Sequence, residues 1–171
     1  MTDLPYSDPI RLNQIGPGVE RHVEPDAQAR TRIARALDLA SLDRFAADMS
    51  LKPSHVGWTL SGRVQVAAVQ RCGLTLEPLP VSIDQTFSVD LVESAETPDE
   101  EVEISLEDNS PDVVENGVID LGAYAVEQLA LSLDPFPRKP GAEFVQPDEP
   151  REISPFAVLT QLKPRGEAGE G

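Results

Sequence analysis

Arg71 and Cys72 come closest to chemistry in this 171-residue chain, because a guanidinium beside a thiol can favour the thiolate, the form that attacks electrophiles and binds metals. A nucleophile also needs a base and a group to orient it, and the chain offers only two histidines, His22 and His55. On an extended strand, neighbouring side chains point to opposite faces, which weakens the help Arg71 can give. Cys72 therefore reads as a small buried or turn-proximal residue, free cysteine being among the most buried types, and no catalytic residue is assigned. A tetrahedral zinc site wants about four Cys or His ligands, which one thiol cannot supply. Gly-rich phosphate loops, serine nucleophile elbows and His-rich metal patterns are all missing from the sequence. The expectation is a non-enzyme with no cofactor and no metal.

Three arginines carry the other candidate chemistry. Arg30, Arg32 and Arg35 fall within about a turn and a half of an expected helix and form a modest patch that could touch RNA phosphate. The plainer reading is a solvated helix face with Asp26 and Asp38 as neighbours. Few aromatic residues accompany them, so readout of single strands by base stacking is poorly supported.

These residues must be positioned by elements that the patterning predicts. Pro9–Ile15 and Val19–Val23 alternate apolar and polar residues, giving two short strands joined by a Gly-Pro-Gly turn. Pro25, with Glu24 and Asp26 at the positive end, opens a helix over about Asp26 to Leu39. Period-two alternation returns over Leu42–Leu51 and Gly57–Gln70, where Trp58, Leu60, Val64, Val66 and Ala68 share a face. Past a Glu77-Pro78 turn, residues 80–92 read as a strand that pairs with 57–70. Residues 93–101 are acidic and aperiodic, predicting a mobile loop, and Val102, Ile104 and Leu106 predict a short strand. Asn116-Gly117 is a tight-turn signal. Asp120 caps a helix over Leu121–Leu133, and Pro135 with Pro137 stops it. That helix is apolar over more than one stripe, so it should be covered on most sides, by its own domain or by a partner.

The sum is an α+β fold, a mostly antiparallel sheet or small open barrel with two helices and an extended C-terminal arm. Residues 1–134 read as a single domain and 135–155 as a proline-rich extended linker. Residues 156–163 read as a short helix that must dock on something, followed by a disordered tail, 164–171.

Charge narrows the partners. Of the net −16, nearly all lies in one stretch: Cys72–Pro137 holds 16 acidic residues and no Lys or Arg. Residues 1–71 hold nine basic and eight acidic, and residues 138–171 five and six. Such a segment repels phosphate backbones, which disfavours direct RNA binding through it and argues against a DNA partner. The same field attracts a basic polypeptide; the plainer reading is that it only keeps the protein in solution. One cysteine allows no intramolecular disulfide, and no stretch approaches the ~18 apolar residues of a spanning helix, so the expectation is a cytoplasmic chain with no membrane role.

Three segments then resemble a known family when read in order. Val69–Leu79 carries Arg71-Cys72 and Glu77-Pro78; Val118–Pro137 carries Asp120-Leu121, Glu127, Leu131 and Pro137; Ser154–Lys163 carries Pro155-Phe156 and Leu159. Together they resemble the YceD family, the large ribosomal RNA subunit accumulation proteins, over roughly residues 60 to 163. The resemblance implies a non-enzymatic factor needed for large-subunit ribosomal RNA to accumulate, and hence ribosome assembly. Its partner would be a large-subunit ribosomal protein or an assembly intermediate, with ribosomal RNA engaged indirectly. Many such proteins carry a Cys-x-x-Cys ending at the position of Cys72, and often further Cys or His after the leucine-rich helix. Here the earlier position is Val69, and Phe136–Phe144 supplies neither type, so any metal that pattern reflects is lost in this member.

Overall fold

The computed structural model describes residues 4–93 and 111–143. Period-two alternation yields the strands that dominate it: β1 (Pro9–Arg11), β2 (Val19–Val23), β3 (Ser41–Pro53), β4 (Trp58–Arg71), β5 (Pro78–Glu93), β6 (Asp112–Val114) and β7 (Val118–Asp120). Two helices complete it, α1 (Ala27–Ala36) and α2 (Leu121–Ser132). The main sheet runs β2-β3-β4-β5-β6, antiparallel throughout except for the parallel β5/β6 pair, and β1 pairs with β7 in a second sheet. The α+β class holds, and among the described residues the main sheet stays open rather than closing into a barrel.

The long hairpins follow the predicted pairing. β4 meets β5 in one unbroken register from Trp58↔Leu91 to Arg71↔Pro78. The shared face of β4 is the core face, with Leu60 at 0% and Val64 at 1% exposure. The matching face of β5 is less covered: Val81, Ile83, Phe87 and Val89 are half-buried, and only Leu91 is fully buried. Packing of α2 against β4 and β5, and of α1 against β3, builds the core around Phe45, Ile33, Leu51 and Leu129.

Both helices start on an aspartate whose side chain accepts an otherwise unsatisfied amide: Asp120 from Ala123, as expected, and Asp26 from Ala29, which makes Asp26 the cap and leaves Pro25 before the helix instead of in its first turn. The first helix ends at Ala36, short of Leu39. Asp38 turns left-handed at φ 51°, and the Leu39 amide closes back on the Ala34 carbonyl at 2.8 Å, a C-terminal cap that stops propagation. The second helix buries Leu121, Gly122, Ala125, Val126 and Leu129, while Leu131 stays 72% exposed. So the described residues cover it along one flank and not on most sides. At Gly122 a Cβ would lie 2.7 Å from the Asp8 backbone nitrogen, which is why the N-terminal segment can press against this helix.

One expectation near the N-terminus needs correction. The strand over Pro9–Ile15 is only three residues, followed by a 3-10 turn at Leu12–Gln14. Moreover β1 and β2 belong to different sheets, since β1 finds β7 and β2 finds β3. The Asn116-Gly117 turn forms with both residues at positive φ, 58° and 64°, and hands the chain from β6 in the main sheet to β7 in the small one. The expected 102–106 strand, the acidic loop, the 156–163 helix and the tail lie outside the described residues.

Candidate functional site

β4 delivers Arg71 and Cys72 to one end of the sheet, and the turn that follows is tied by its own backbone. The Cys72 amide donates to the Glu77 carbonyl at 2.9 Å, and the Leu76 amide donates to the Cys72 carbonyl at 2.9 Å. Leu76 sits in the left-handed region at φ 60°, 72% exposed, a conformation a leucine adopts only when its surroundings impose it. Pro78 opens β5, where a missing amide costs little.

Past α2 the chain crosses this turn as a strap. Gln70 Nε2 donates to the Asp134 carbonyl at 2.9 Å, and the Gly73 amide to the Pro137 carbonyl at 2.8 Å. The Lys139 amide donates to Cys72 Sγ at 3.4 Å, while Lys139 Nζ bridges the two Glu77 carboxylate oxygens at 2.9 and 3.0 Å. Thus the first residues of the expected linker are hydrogen-bonded to the domain. Arg71, Cys72, Glu77, Pro78 and Pro137, named from the resemblance, converge in this clasp. Asp120 and Leu121 lie at the far end of α2 as cap and core residue, and Glu127 and Leu131 are exposed on its surface. Pro155, Phe156 and Leu159 lie outside the described residues.

The electrostatics of the clasp differ from what adjacency implied. The Cys72 thiol is lowered to about 6, first by the Lys139 amide and then by the Thr75 hydroxyl and the amides of Thr75 and Leu74; burial opposes this and is outweighed. Arg71 is not among the causes, and instead reaches Asp38 at 3.7 Å. The thiolate is stabilised, yet its residue is 0% exposed, so it is held as an acceptor and not presented to a substrate. The Glu77 carboxyl is held below the ordinary carboxylate range, chiefly by the Lys139 hydrogen bond.

The other ingredients of a thiol enzyme are elsewhere. His22 Nδ1 meets Asp48 Oδ1 at 2.6 Å, and that hydrogen bond raises the imidazole above its ordinary value. Asp48 stands opposite Arg63, eight residues before Arg71 on β4, or about 26 Å at ~3.3 Å per residue. His55 lies in the β3–β4 turn, at the opposite end of β4 from Cys72. Among the described residues no group of three His, Cys, Asp or Glu could hold a metal, and with Val69 at the earlier motif position the residues present do not fit a tetrahedral site.

Two of the three candidate RNA-contacting arginines are engaged within the protein. Arg30 Nη1 donates to the Pro25 carbonyl at 2.8 Å and Arg32 Nε to the Pro5 carbonyl at 3.3 Å; Arg35 is in the last turn of α1. Beside that turn a cleft of about 490 Å³ opens between α1, the clasp and the end of α2, lined by Leu37, Leu74, Leu133, Phe136, Arg71 and Arg138. Sequence reasoning did not find Lys139, Thr75 or Gln70. Gln70 reaches a backbone carbonyl, Lys139 combines a backbone and a side-chain contact, and the proline-rich composition of the strap gave no sign of its docking.

At the other end of β5, carboxylates gather without cations. Asp90 and Glu93 lie at the end of the strand, Asp112 opens β6 and Glu115 follows it, and Glu127 is on α2; none forms an ion pair with a described residue. Tyr124 donates to Asp112 at 3.2 Å, and burial, then the Asp112 charge, pushes its phenol well up.

The family model described as large ribosomal RNA subunit accumulation protein YceD matches residues 60–163, which takes in β4 from Leu60 onward, β5, both short strands after them, α2 and the clasp. No curated protein and no solved structure matches the chain. No described helix is long and apolar enough to cross a membrane. With well over half of its length matched, including the turn and strap built around Cys72, the chain belongs to the YceD family of large ribosomal RNA subunit accumulation proteins.

Proposed function

We propose that this protein supports accumulation of large-subunit ribosomal RNA in the cytoplasm without catalysis, by holding a basic large-subunit ribosomal protein or assembly intermediate against its acidic surface. RNA is then protected indirectly. One observation carries the reading: Glu93, Asp112, Glu115 and Glu127 collect around one end of the sheet with no described cation beside them, in a stretch of sequence that contains no Lys or Arg. Unpaired carboxylates attract and orient a cationic partner over about a Debye length, ~8 Å at physiological salt.

Direct RNA contact through Arg30, Arg32 and Arg35 is the competing reading. Arg30 and Arg32 already hold one hydrogen bond each, to Pro25 and Pro5, which directs their side chains while leaving other guanidinium donors free for phosphate. Affinity capture of the tagged full chain from cell lysate at moderate salt, with and without ribonuclease, separates the two. Large-subunit ribosomal proteins retained after ribonuclease are expected. Loss of every ribosomal component on ribonuclease treatment would move the contact to RNA and sink the proposal.

A further inference from the structure

β5 is paired on one side only. β4 accompanies it from Pro78 to Leu91, whereas β6 covers just Leu91–Glu93 on the other side. Over Pro78–Asp90 the second edge has no strand partner among the described residues. Pro78 and Pro80 withhold amides from its beginning, so the usable edge is Val81–Asp90. Proteins usually blunt an edge of this length with a lysine, a bulge or an early stop, since its free amides and carbonyls are a template for another chain. β5 carries no lysine, and its register against β4 has no bulge.

Both faces of β5 state what a further strand would need. On the core face, Val81, Ile83, Phe87 and Val89 remain half-buried, although their neighbours on β4, such as Leu60 and Val64, are sealed. The core thins toward this edge and would be completed by apolar side chains from one more strand. On the opposite face, Ser82, Thr86 and Ser88 are exposed beside Asp84 and Asp90, and no residue of β5 is basic. Asp84 is already held by Arg63, whereas among the described residues Asp90 accepts from the Thr59 hydroxyl and forms no ion pair, so the unpaired charge lies toward the acidic end of the strand.

We propose that the Val81–Asp90 edge takes up an extended segment of a basic partner as an added β-strand, with apolar residues over Val81, Ile83, Phe87 and Val89, and lysines or arginines on the other face near Asp90. This rests on the acidic-surface reading above, and adds the place and the form of the contact. Main-chain hydrogen bonds supply affinity in such strand addition, and alternate side chains supply selectivity.

The test is hydrogen exchange read by mass spectrometry on the full chain, alone and with a 12-residue peptide of alternating lysine and valine. The control peptide has proline at alternate valine positions and cannot pair. Amides of 81–90 that face away from β4 are expected to exchange fast in the free protein and about tenfold or more slowly with the pairing peptide, and not with the control. The variant S82K/S88K should lose that protection and bind at least about tenfold more weakly, with an unchanged far-ultraviolet spectrum. Slow exchange across 81–90 in the free protein would mean that the chain covers its own edge, and would overturn the proposal. Peptide binding that protects residues around Glu93, Asp112 and Glu115 but not 81–90 would overturn the edge and leave the acidic-surface reading standing. No peptide binding, together with no ribosomal protein in the affinity capture, would remove both.

Discussion

The two ends of β5 are built on opposite principles. At the Pro78 end the charges at the centre of the clasp have neighbours that answer them, Lys139 with Glu77, Arg71 with Asp38, and a thiol ringed by amides, while Arg138 at its rim has no ion pair among the described residues. At the Glu93 end, Asp90, Glu93, Asp112, Glu115 and Glu127 form no ion pair with a described residue. The first end satisfies itself and is best understood as structure. The second presents carboxylates that no described residue pairs with, and it is the surface proposed above for a basic partner.

The sharpest way to break this contrast is to invert the acidic end. Glu93→Lys, Glu115→Lys and Glu127→Lys together are expected to abolish ribosomal-protein capture. Each single change should alter stability by no more than about 0.5 kcal/mol, because these are exposed positions, with capture and chemical denaturation as the two readouts. If capture survives, the contrast between the ends has no bearing on binding. Next in size is Cys72→Ala, which leaves the Lys139, Thr75 and Leu74 amides without their shared acceptor and should lower the unfolding temperature while leaving capture intact. An equal loss of capture would show that the clasp is part of the binding surface.

A pH series sharpens the same point. The folded thiol sits at about 6 and the ordinary value is 9.0, so the group is depressed on folding. Its stabilising contribution is therefore absent below about pH 6, grows between 6 and 9, and is complete above 9. The stability difference between the native chain and Cys72→Ser should widen over that window, and a difference flat with pH would refute the thiolate. Smallest of all should be Arg71→Ala. Its contact with Asp38 is long and solvent-exposed, so thermal denaturation is expected to move little, despite the place of Arg71 in the family motif.

How much of this was legible in the sequence depended on whether the signal was local. The pairing of β4 with β5 could be read because long alternation fixes a face and a face fixes a register. That parity could not tell how fully the face is covered, and Val81 and Phe87 are half open where Leu60 is sealed. Asp120 and the two prolines marked α2 almost to the residue, since caps and stops act on adjacent backbone. The strap over Cys72 was invisible for the converse reason: the amides of Gly73 and Lys139 and the carbonyls of Asp134 and Pro137 carry most of its docking, and every residue has such groups. So was the engagement of Arg32 with Pro5, which links residues far apart in sequence. For the candidate site, the motif residues were identifiable, but the fact that they converge on a buried acceptor was not.

The pairing of Pro9 with Asp120 has a consequence for how the molecule is made. The hairpins of β3, β4 and β5 turn over a handful of residues and can close as they are synthesised, whereas β1 has to wait for a strand more than a hundred positions downstream. Joining distant segments carries a loop-closure entropy that neighbouring ones avoid, and the small sheet cannot form before β7 has been made. A nascent chain therefore keeps its N-terminal strand unpaired until β7 has emerged, by which time most of the matched family region has already been translated.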